Sequence, residues 1–494
     1  MSSNLPATSA PLRALCVPVF FLLTSLCTAA EYHKIVITDE SNPLQRVPLV
    51  ELSTTNGITH ISDNNGVVAI TEPDLLGKDV YFNIKSHGYE YPADGFGMRG
   101  KKVTLTPGGE TKLEIKRKNL AERLYRTTGT GLDADSVLTR QTRVDNRTPE
   151  QGLLTGCDSI MSVQYKGKYY WFWGDTNRLA YPLGNFHITG ATSPLDGSTS
   201  IEQGIQYTFF KDPEGFVKPM AKMPGEGPTW IGALAVLPDK DGKERMVAYD
   251  IKVRPNMQAY RWGIVIWNDE KEEFERLKEF DAQPAHFKDI ACHTFLERDP
   301  DTGKDYLYLS TPFPHIRVPA TLDAYCDPTQ YESYRPVEGW KQGITPLSQK
   351  QESAAIKEGK LTAETALRQM TDAATGKPIQ VHNGSCHFNP YLNKYIMIFT
   401  ELGGETSTLG EVWLSTSKDK VGPWTKAVKL LTHNHYSFYN PRYDYEFDQH
   451  KGRTIHFEGT YTHTFSQTTT PTPRYDYNNI MYRLDLNNLP ETLK

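Results

Sequence analysis

The chain has 494 residues, with 54 Lys and Arg against 59 Asp and Glu, a formal net charge of −5, and 38% hydrophobic residues. That mildly acidic balance argues against a protein that spreads Lys and Arg over nucleic acid. A mean hydropathy of −0.53 with one long apolar run excludes a polytopic membrane protein. The 27 Tyr, 8 Trp, 37 Gly and 32 Pro describe an ordered, turn-rich, β-dominated chain of two or three domains.

Residues 1–30 read as a cleavable signal peptide, which places the mature protein outside the cell or in a periplasm. Arg13 is the only charge before Glu31, residues 14–26 form a short apolar core, and Thr28-Ala29-Ala30 supplies the small residues a signal peptidase reads. The run is too short and wrongly flanked to span a bilayer. Cys27 raises a lipoprotein alternative, which Leu26 opposes as a poor lipobox residue. Cys157, Cys292, Cys326 and Cys386 remain after cleavage, too few for a disulfide framework and without metal-ligand spacing. They are expected to be buried thiols or to form one bridge.

Residues 31–117 alternate in period two between turn signals such as Thr54-Thr55-Asn56-Gly57 and Asp63-Asn64-Asn65-Gly66, the pattern of a small β-sandwich. The segment from VPLVELSTTNGITHISDNNGVVAI to VYFNIKSHGY resembles the transthyretin-like, carboxypeptidase-regulatory-like modules of secreted proteins. The resemblance implies a spacer, stabiliser or docking module and no catalysis. Residues 118–154 are charged and polar and are expected to connect this module to the next domain.

From residue 155 to 494 a repeat emerges. KGKYYWFWGDT, DGKERMVAYDI, TGKDYLYLSTP, YLNKYIMIFTE and HKGRTIHFEGT each pair a Gly or Asn turn with an apolar or aromatic strand, and each follows an earlier strand. Five such units predict a five-bladed β-propeller, within an all-β fold that includes the N-terminal sandwich. The longest interval, between the turns at 303 and 393, holds SAAIKEGKLTAETALRQM, so residues 341–375 are expected to form a short helical insertion. A sandwich or jelly-roll with coincidental turn spacing is the alternative.

Eight residues past each turn stand Asp175, Asp250, Thr311, Glu401 and Thr460. Equivalent positions in a propeller converge on one axis, so three carboxylates from different blades are expected at one rim. Near the start of the inner strands stand Asp158, His293, His387 and Asn440. Clustered acids raise one another's pKa and create the donor and acceptor pair that glycosidic hydrolysis needs. Each residue also has a plain structural alternative: a strand-end Asp caps turns, and His293 and His387 suit inner-strand packing. Arg178, His187, Tyr181, Trp173, Trp230 and Tyr439 are possible walls or sugar-stacking platforms, as is Trp171.

The stretch GCDSIMSVQYKGKYYWFWGDTN resembles the opening blade of the secreted endo-D-arabinanase family, five-bladed propeller glycoside hydrolases, and YDYNNIMYRLDL looks like that family's closing strand. The resemblance implies that Asp158 and Asp175 match its two catalytic carboxylates. Cys157, Ser159, the helical insertion and the N-terminal sandwich depart from the pattern, so D-arabinan is one substrate among several. Arabinanase- and xylosidase-like propellers place two Asp and a Glu around a central pocket, a scheme that Asp175, Asp250 and Glu401 would fit.

The expected reaction is glycosidic hydrolysis of a polysaccharide or oligosaccharide, with Asp158 as nucleophile or base and Asp175 as general acid. Asp250, Glu401, His293, His387, Arg178, Trp173, Trp230 and Tyr439 would bind substrate or tune the acids. A carboxyl separation of about 5–5.5 Å favours retention and about 6.5–9.5 Å inversion. A polysaccharide lyase would instead draw its base and neutralising cation from His293, His387, His435, Tyr436, Arg178 and Arg442. A carbohydrate-binding propeller without chemistry is the third reading. No cofactor or catalytic metal is expected; a structural Ca in the channel would lack any motif.

Overall fold

Period-two apolar strands dictate the fold from His33 onward. The computed structural model describes residues 32–140, 153–195, 200–287, 293–310, 312–433, 436–464, 466, 468 and 472–494. Residues 1–30, expected to be a signal peptide, and Cys292, Thr311 and His435 lie outside the described residues. Tyr32–Lys494 form one unit. Among the described residues no helix is long and apolar enough to cross a membrane. Cys157, Cys326 and Cys386 are free thiols.

The N-terminal segment forms two sheets around a shared core. In one, His33–Asp39 pairs with Asn42–Arg46 and Val67–Ile70 and runs parallel to Glu110–Arg117; in the other, Glu51–Thr54 lies between Thr59–Ile61 and Asp79–Lys85, with Gly100–Thr104 outside. Ile35, Ile37, Leu52, Val68, Phe82, Ile84, Leu113 and Ile115 fill the space between them. Arg123 fixes these sheets to the rest of the chain. Fully buried, it donates to the carbonyls of Pro48 (2.7 Å) and His87 (2.9 Å) and to the hydroxyl of Tyr475 (2.6 Å). A buried guanidinium that lost these acceptors would be strongly destabilising.

Five sheets built on antiparallel hairpins follow in chain order, beside a three-stranded sheet of Leu154–Cys157, Thr176–Arg178 and Tyr181–Asn185. Their first strands are Ile160–Tyr165, Thr229–Pro238, His293–Arg298, Val381–Asn389 and Ser437–Tyr443, and their second strands are Lys168–Trp173, Glu244–Val253, Asp305–Ser310, Lys394–Glu401 and Thr454–Thr462. Each first strand touches the first strand of the next sheet, and the last touches the first, which closes a ring. The five hairpins lie where the Gly and Asn turns predict them. Lys166 and Gly167 both have positive φ (46° and 77°), the backbone that a two-residue hairpin demands and that Gly adopts without strain.

The fifth sheet joins the strand that follows the N-terminal sheets to the last strand of the chain. Glu122–Arg126, inside the stretch expected as a connector, pairs with Asn478–Asp485 at the sheet's outer side. The insertion contributes one nine-residue helix, Gln349–Lys357, started by a Ser348–Gln351 capping box.

Packing between sheets decides which aromatic residues are available to a ligand. In the YYWFW strand, Tyr169, Trp171 and Trp173 enter one core with Tyr125, Tyr207 and Met481, while Phe172 enters another with Met246 and Trp267. Both faces of this strand are covered by neighbouring sheets, so Trp171 and Trp173 are 0% exposed. The expectation that Trp173 lines a sugar pocket gives way to a packing role, because a sheet flanked on two sides has no free face. Trp173→Ala is expected to lower stability by about 3–5 kcal/mol in denaturant unfolding, the range for emptying a buried Trp site.

Candidate functional site

The first, second, fourth and fifth sheets present the starts of their first strands to one cavity of about 340 Å³. Asp158, Ser159, Gly174, Trp230, Tyr249 and Gln283 are among its walls, with Phe287, Asn383, Tyr439 and Asn440. Local backbone irregularity builds it. One extra residue bulges the first strand of the second sheet between Gly232 and Ala235, of the fourth between Val381 and Gly384, and of the fifth between Tyr439 and Arg442. Ser159, Ala233 and Asn440 have φ of 42°, 49° and 51°, a left-handed backbone that costs energy without glycine. Such strain persists only where surrounding structure enforces it, and bulges re-aim side chains.

Asp158 and Asp175 are joined through their backbones at the mouth of the first hairpin. The Asp158 N–H donates to the Asp175 carbonyl (3.0 Å), and Gly174 N–H donates back to the Asp158 carbonyl (2.7 Å). Asp158 is clamped on either side in sequence: Asn479 Nδ2 donates to the Cys157 carbonyl (2.8 Å) and Ser159 N–H donates to Thr460 Oγ1 (2.8 Å). Thr460 in turn donates to Asn479 Oδ1 (3.0 Å), which joins the two clamps. Thr460 thus serves the site as a brace where the first, second and fourth sheets carry an acid.

The two carboxyl groups have different partners. Tyr439 Oη donates to Asp158 Oδ2 (2.9 Å), and Trp230 Nε1 donates to Asp175 Oδ1 (3.2 Å). Burial, reinforced by the charge of Asp175, pushes the Asp158 carboxyl up to about 7, with the Tyr439 bond opposing. Burial raises Asp175 as well, and the Trp230 bond favours its ionised form. Two acids in one desolvated site cannot both ionise cheaply, so the pair retains a proton into the neutral range.

Other expected site residues lie elsewhere. Asp250 is fully buried on a strand paired on both sides, between Tyr249 and Ile251 that face the cavity; strand alternation sends its carboxylate to the opposite face, where Arg276 Nη2 binds it (2.8 Å). Glu401 accepts from Trp413 Nε1 (2.9 Å) and is absent from the cavity walls. Arg178 stacks on Phe216 (4.2 Å to the centroid) beside Glu214 (3.8 Å). His187 accepts from Thr229 N–H (3.2 Å). Of the three acids expected at one rim, only Asp175 stands beside Asp158, and Asp158 is the acid on the cavity wall itself.

His293 and His387 line a second cavity, of about 380 Å³, farther along the first strands, with Arg442 and Glu446. His387 pairs with Ile396 well inside a strand that begins at Val381, so it does not stand at the strand start. Its ring lies flat on Tyr445, centroids 3.4 Å apart. Burial holds His387 down to about 4 and His293 to about 3, so both are neutral at pH 7. Among the described residues no cluster of His, Cys, Asp and Glu could hold a metal ion.

Ser159, Gly174, Gln283, Phe287 and Asn383 were not singled out by sequence reasoning. Asn383 shows why: it stands at a bulge, which interrupts the period-two pattern that would have marked it. Gly174 carries a usable signal, the small residue in the G-D-T end of the first hairpin.

No protein-family model matches this chain, and no curated protein matches it. Solved structures with which it aligns include a GH43 β-1,3-galactosidase, at 12% identity over 67% of this chain and 60% of that one, with a TM-score of 0.35. An exo-1,5-α-L-arabinanase from a bovine ruminal metagenomic library aligns at 11% identity over 68% of this chain and 95% of that one, TM-score 0.36. The exo-β-1,3-galactanase of Phanerochaete chrysosporium, solved with galactose, aligns at 9% identity over 73% and 64%, TM-score 0.37. This chain spans 60% of the galactosidase's length. Scores this low leave the function to the site's own chemistry.

Proposed function

We propose that this chain is an exported glycoside hydrolase on a five-bladed β-propeller, in which Asp158 and Asp175 cleave the glycosidic bonds of an uncharged polysaccharide or oligosaccharide. The observation that carries the reading is half-buried Asp158 on the wall of a cavity with an indole and phenol rings, with half-buried Asp175 beside it on the indole N–H of Trp230. In this reading residues 31–117 are a transthyretin-like spacer, residues 118–154 a connector whose strand Glu122–Arg126 belongs to the last blade, and residues 155–494 the propeller.

Asp158, the acid whose proton is held to about 7, protonates the glycosidic oxygen. Asp175 supplies the ionised carboxylate beside the anomeric carbon, as nucleophile or as base for water, and the transition state is oxocarbenium-like. This order reverses the sequence expectation; it follows from the burial of the Asp158 carboxyl, reinforced by the charge of Asp175. Trp230 offers a sugar-stacking face while its N–H favours the charged form of Asp175. Two carboxyls and water complete the reaction, so no cofactor enters it.

The test is a panel of neutral and acidic polysaccharides assayed for reducing ends and for the ultraviolet absorbance of a new double bond. Reducing ends without that absorbance are expected, and only from neutral polymers. A pH profile tests the roles. The Tyr439 hydroxyl lowers the Asp158 pKa, so Tyr439→Phe raises it. Because Asp158 must be protonated to act, the alkaline limb of kcat/KM is expected to move up by about 1 pH unit.

A further inference from the structure

Beside the acid cavity lies a larger one, of about 650 Å³, between the helical insertion and the first strand of the fourth sheet. Asn383 lines both cavities. It donates through Nδ2 to Asn440 Oδ1 (3.0 Å), and Asn440 donates to Ser159 Oγ, so a chain of side chains runs from the shared wall to the neighbour of Asp158. The bulge at this point of the strand lets two successive residues, His382 and Asn383, line the same cavity.

The wall formed by the insertion is braced. Gln349, in the first turn of the helix, donates to the carbonyls of Arg368 (2.9 Å) and Ile379 (3.2 Å) and accepts from Gln380 Nε2 (2.9 Å) and Val381 N–H (2.8 Å). Buried Glu352 accepts from Arg368 N–H (2.9 Å) and Gln369 Nε2 (3.3 Å). The cavity is therefore formed before any ligand arrives, which spares the ligand an ordering cost.

Its chemistry suits hydroxyl groups. Ser348, Gln351, Gln380, His382 and Asn383 supply neutral donors and acceptors, Arg368 adds a guanidinium whose Nε donates to His315 Nδ1 (2.9 Å), and the Nδ1 of His382 is buried with no hydrogen-bond partner. A buried unpaired ring nitrogen gains from a ligand hydroxyl that reaches it. We propose that this cavity is a second sugar-binding site, which holds a further part of the uncharged glycan cleaved beside Asp158, so that the protein grips several sugars and not a disaccharide alone. This rests on the glycosidic reading above.

The test uses the Asp158→Asn chain, calorimetric titration, and neutral arabino-, xylo- and galacto-oligosaccharides in two-sugar and six-sugar lengths. Six-sugar chains are expected to bind at least about tenfold more tightly than two-sugar ones. Thr345→Trp, at an exposed position on the cavity wall, is expected to remove that gain and leave two-sugar binding as it was. His382→Ala should remove part of it. Equal binding of long and short chains, or Thr345→Trp and His382→Ala variants with the full length dependence, would overturn the second site while leaving the hydrolase intact. If the wild-type protein cleaves no glycan and none binds, the glycosidic reading falls and takes this site with it.

Discussion

Asp158→Asn is expected to abolish turnover while making the protein more stable at pH 8. The loss is about 10³-fold in kcat, within the range for removing a positioned general acid. The gain follows from linkage. The carboxyl of Asp158 titrates near 7 when folded, against about 3.9 in an unfolded chain. The native state thus holds the proton more tightly than the unfolded state does. Below about pH 4 both states are protonated and nothing is lost; as pH rises from about 4 to 7, the unfolded state ionises first and stability falls. The full loss is present above about pH 7 and amounts to at most about 4 kcal/mol. Asn cannot ionise, still accepts the Tyr439 bond through its carbonyl oxygen, and escapes that loss. Unfolding curves at pH 4 and pH 8 for both proteins check the sign: the difference should open only at the higher pH. Lower stability of the variant at pH 8 would show that Asp158 is held as a structural carboxylate.

Gly174→Ala is expected to cost about 10²-fold in kcat/KM with the fold retained. A Cβ built on Gly174 would stand 1.9 Å from Asp158 Oδ1 and 3.1 Å from its carboxyl carbon. No real contact is that short, so the Asp158 carboxylate must rotate away. Its backbone is held by the Gly174 and Asp175 hydrogen bonds, which leaves the side chain as the part that moves. Displacement by about 1 Å of a group that must meet the scissile oxygen costs a factor of this order. The Tyr439 bond to Asp158 would break at the same time. Wild-type kcat/KM in Gly174→Ala would mean that this carboxylate does not need its present position.

Much of the architecture is legible in the sequence because turns and strand alternation are local. The hairpins at Gly167, Gly242, Gly303, Asn393 and Gly452 lie between paired strands, each found from a few residues. The count of eight residues past each turn marks height along a second strand, and it does find Asp175. It does not mark the face. Asp175 lies past the last paired residue of its strand, Trp173, and its carboxylate takes the N–H of Trp230, a residue of the cavity wall. Asp250 pairs with Ile231 on one side and Gly263 on the other, so alternation fixes its carboxylate away from the cavity.

The bulges account for most of the rest. A one-residue insertion before Gly384 and another before Arg442 break the period on which strand boundaries are read. The first strands of the fourth and fifth sheets therefore begin at Val381 and Ser437, earlier than the CHFNP and PRYDYEF segments suggest. His387 consequently falls deep in its strand, and Asn383 takes the place at the cavity. The Glu122–Arg126 strand was hidden for another reason: its partner lies more than 350 residues away in Asn478–Asp485, and no local pattern announces such a pairing.

The measurement closest to the central claim is the release of reducing ends from a neutral polysaccharide by the wild-type protein, Asp158→Asn and Asp175→Asn, side by side. The Asp158–Asp175 account predicts steady release by the wild type and about 10³-fold less by either variant. Undiminished release by either one, or wild-type binding of the polymer with no bond cleaved, would contradict it.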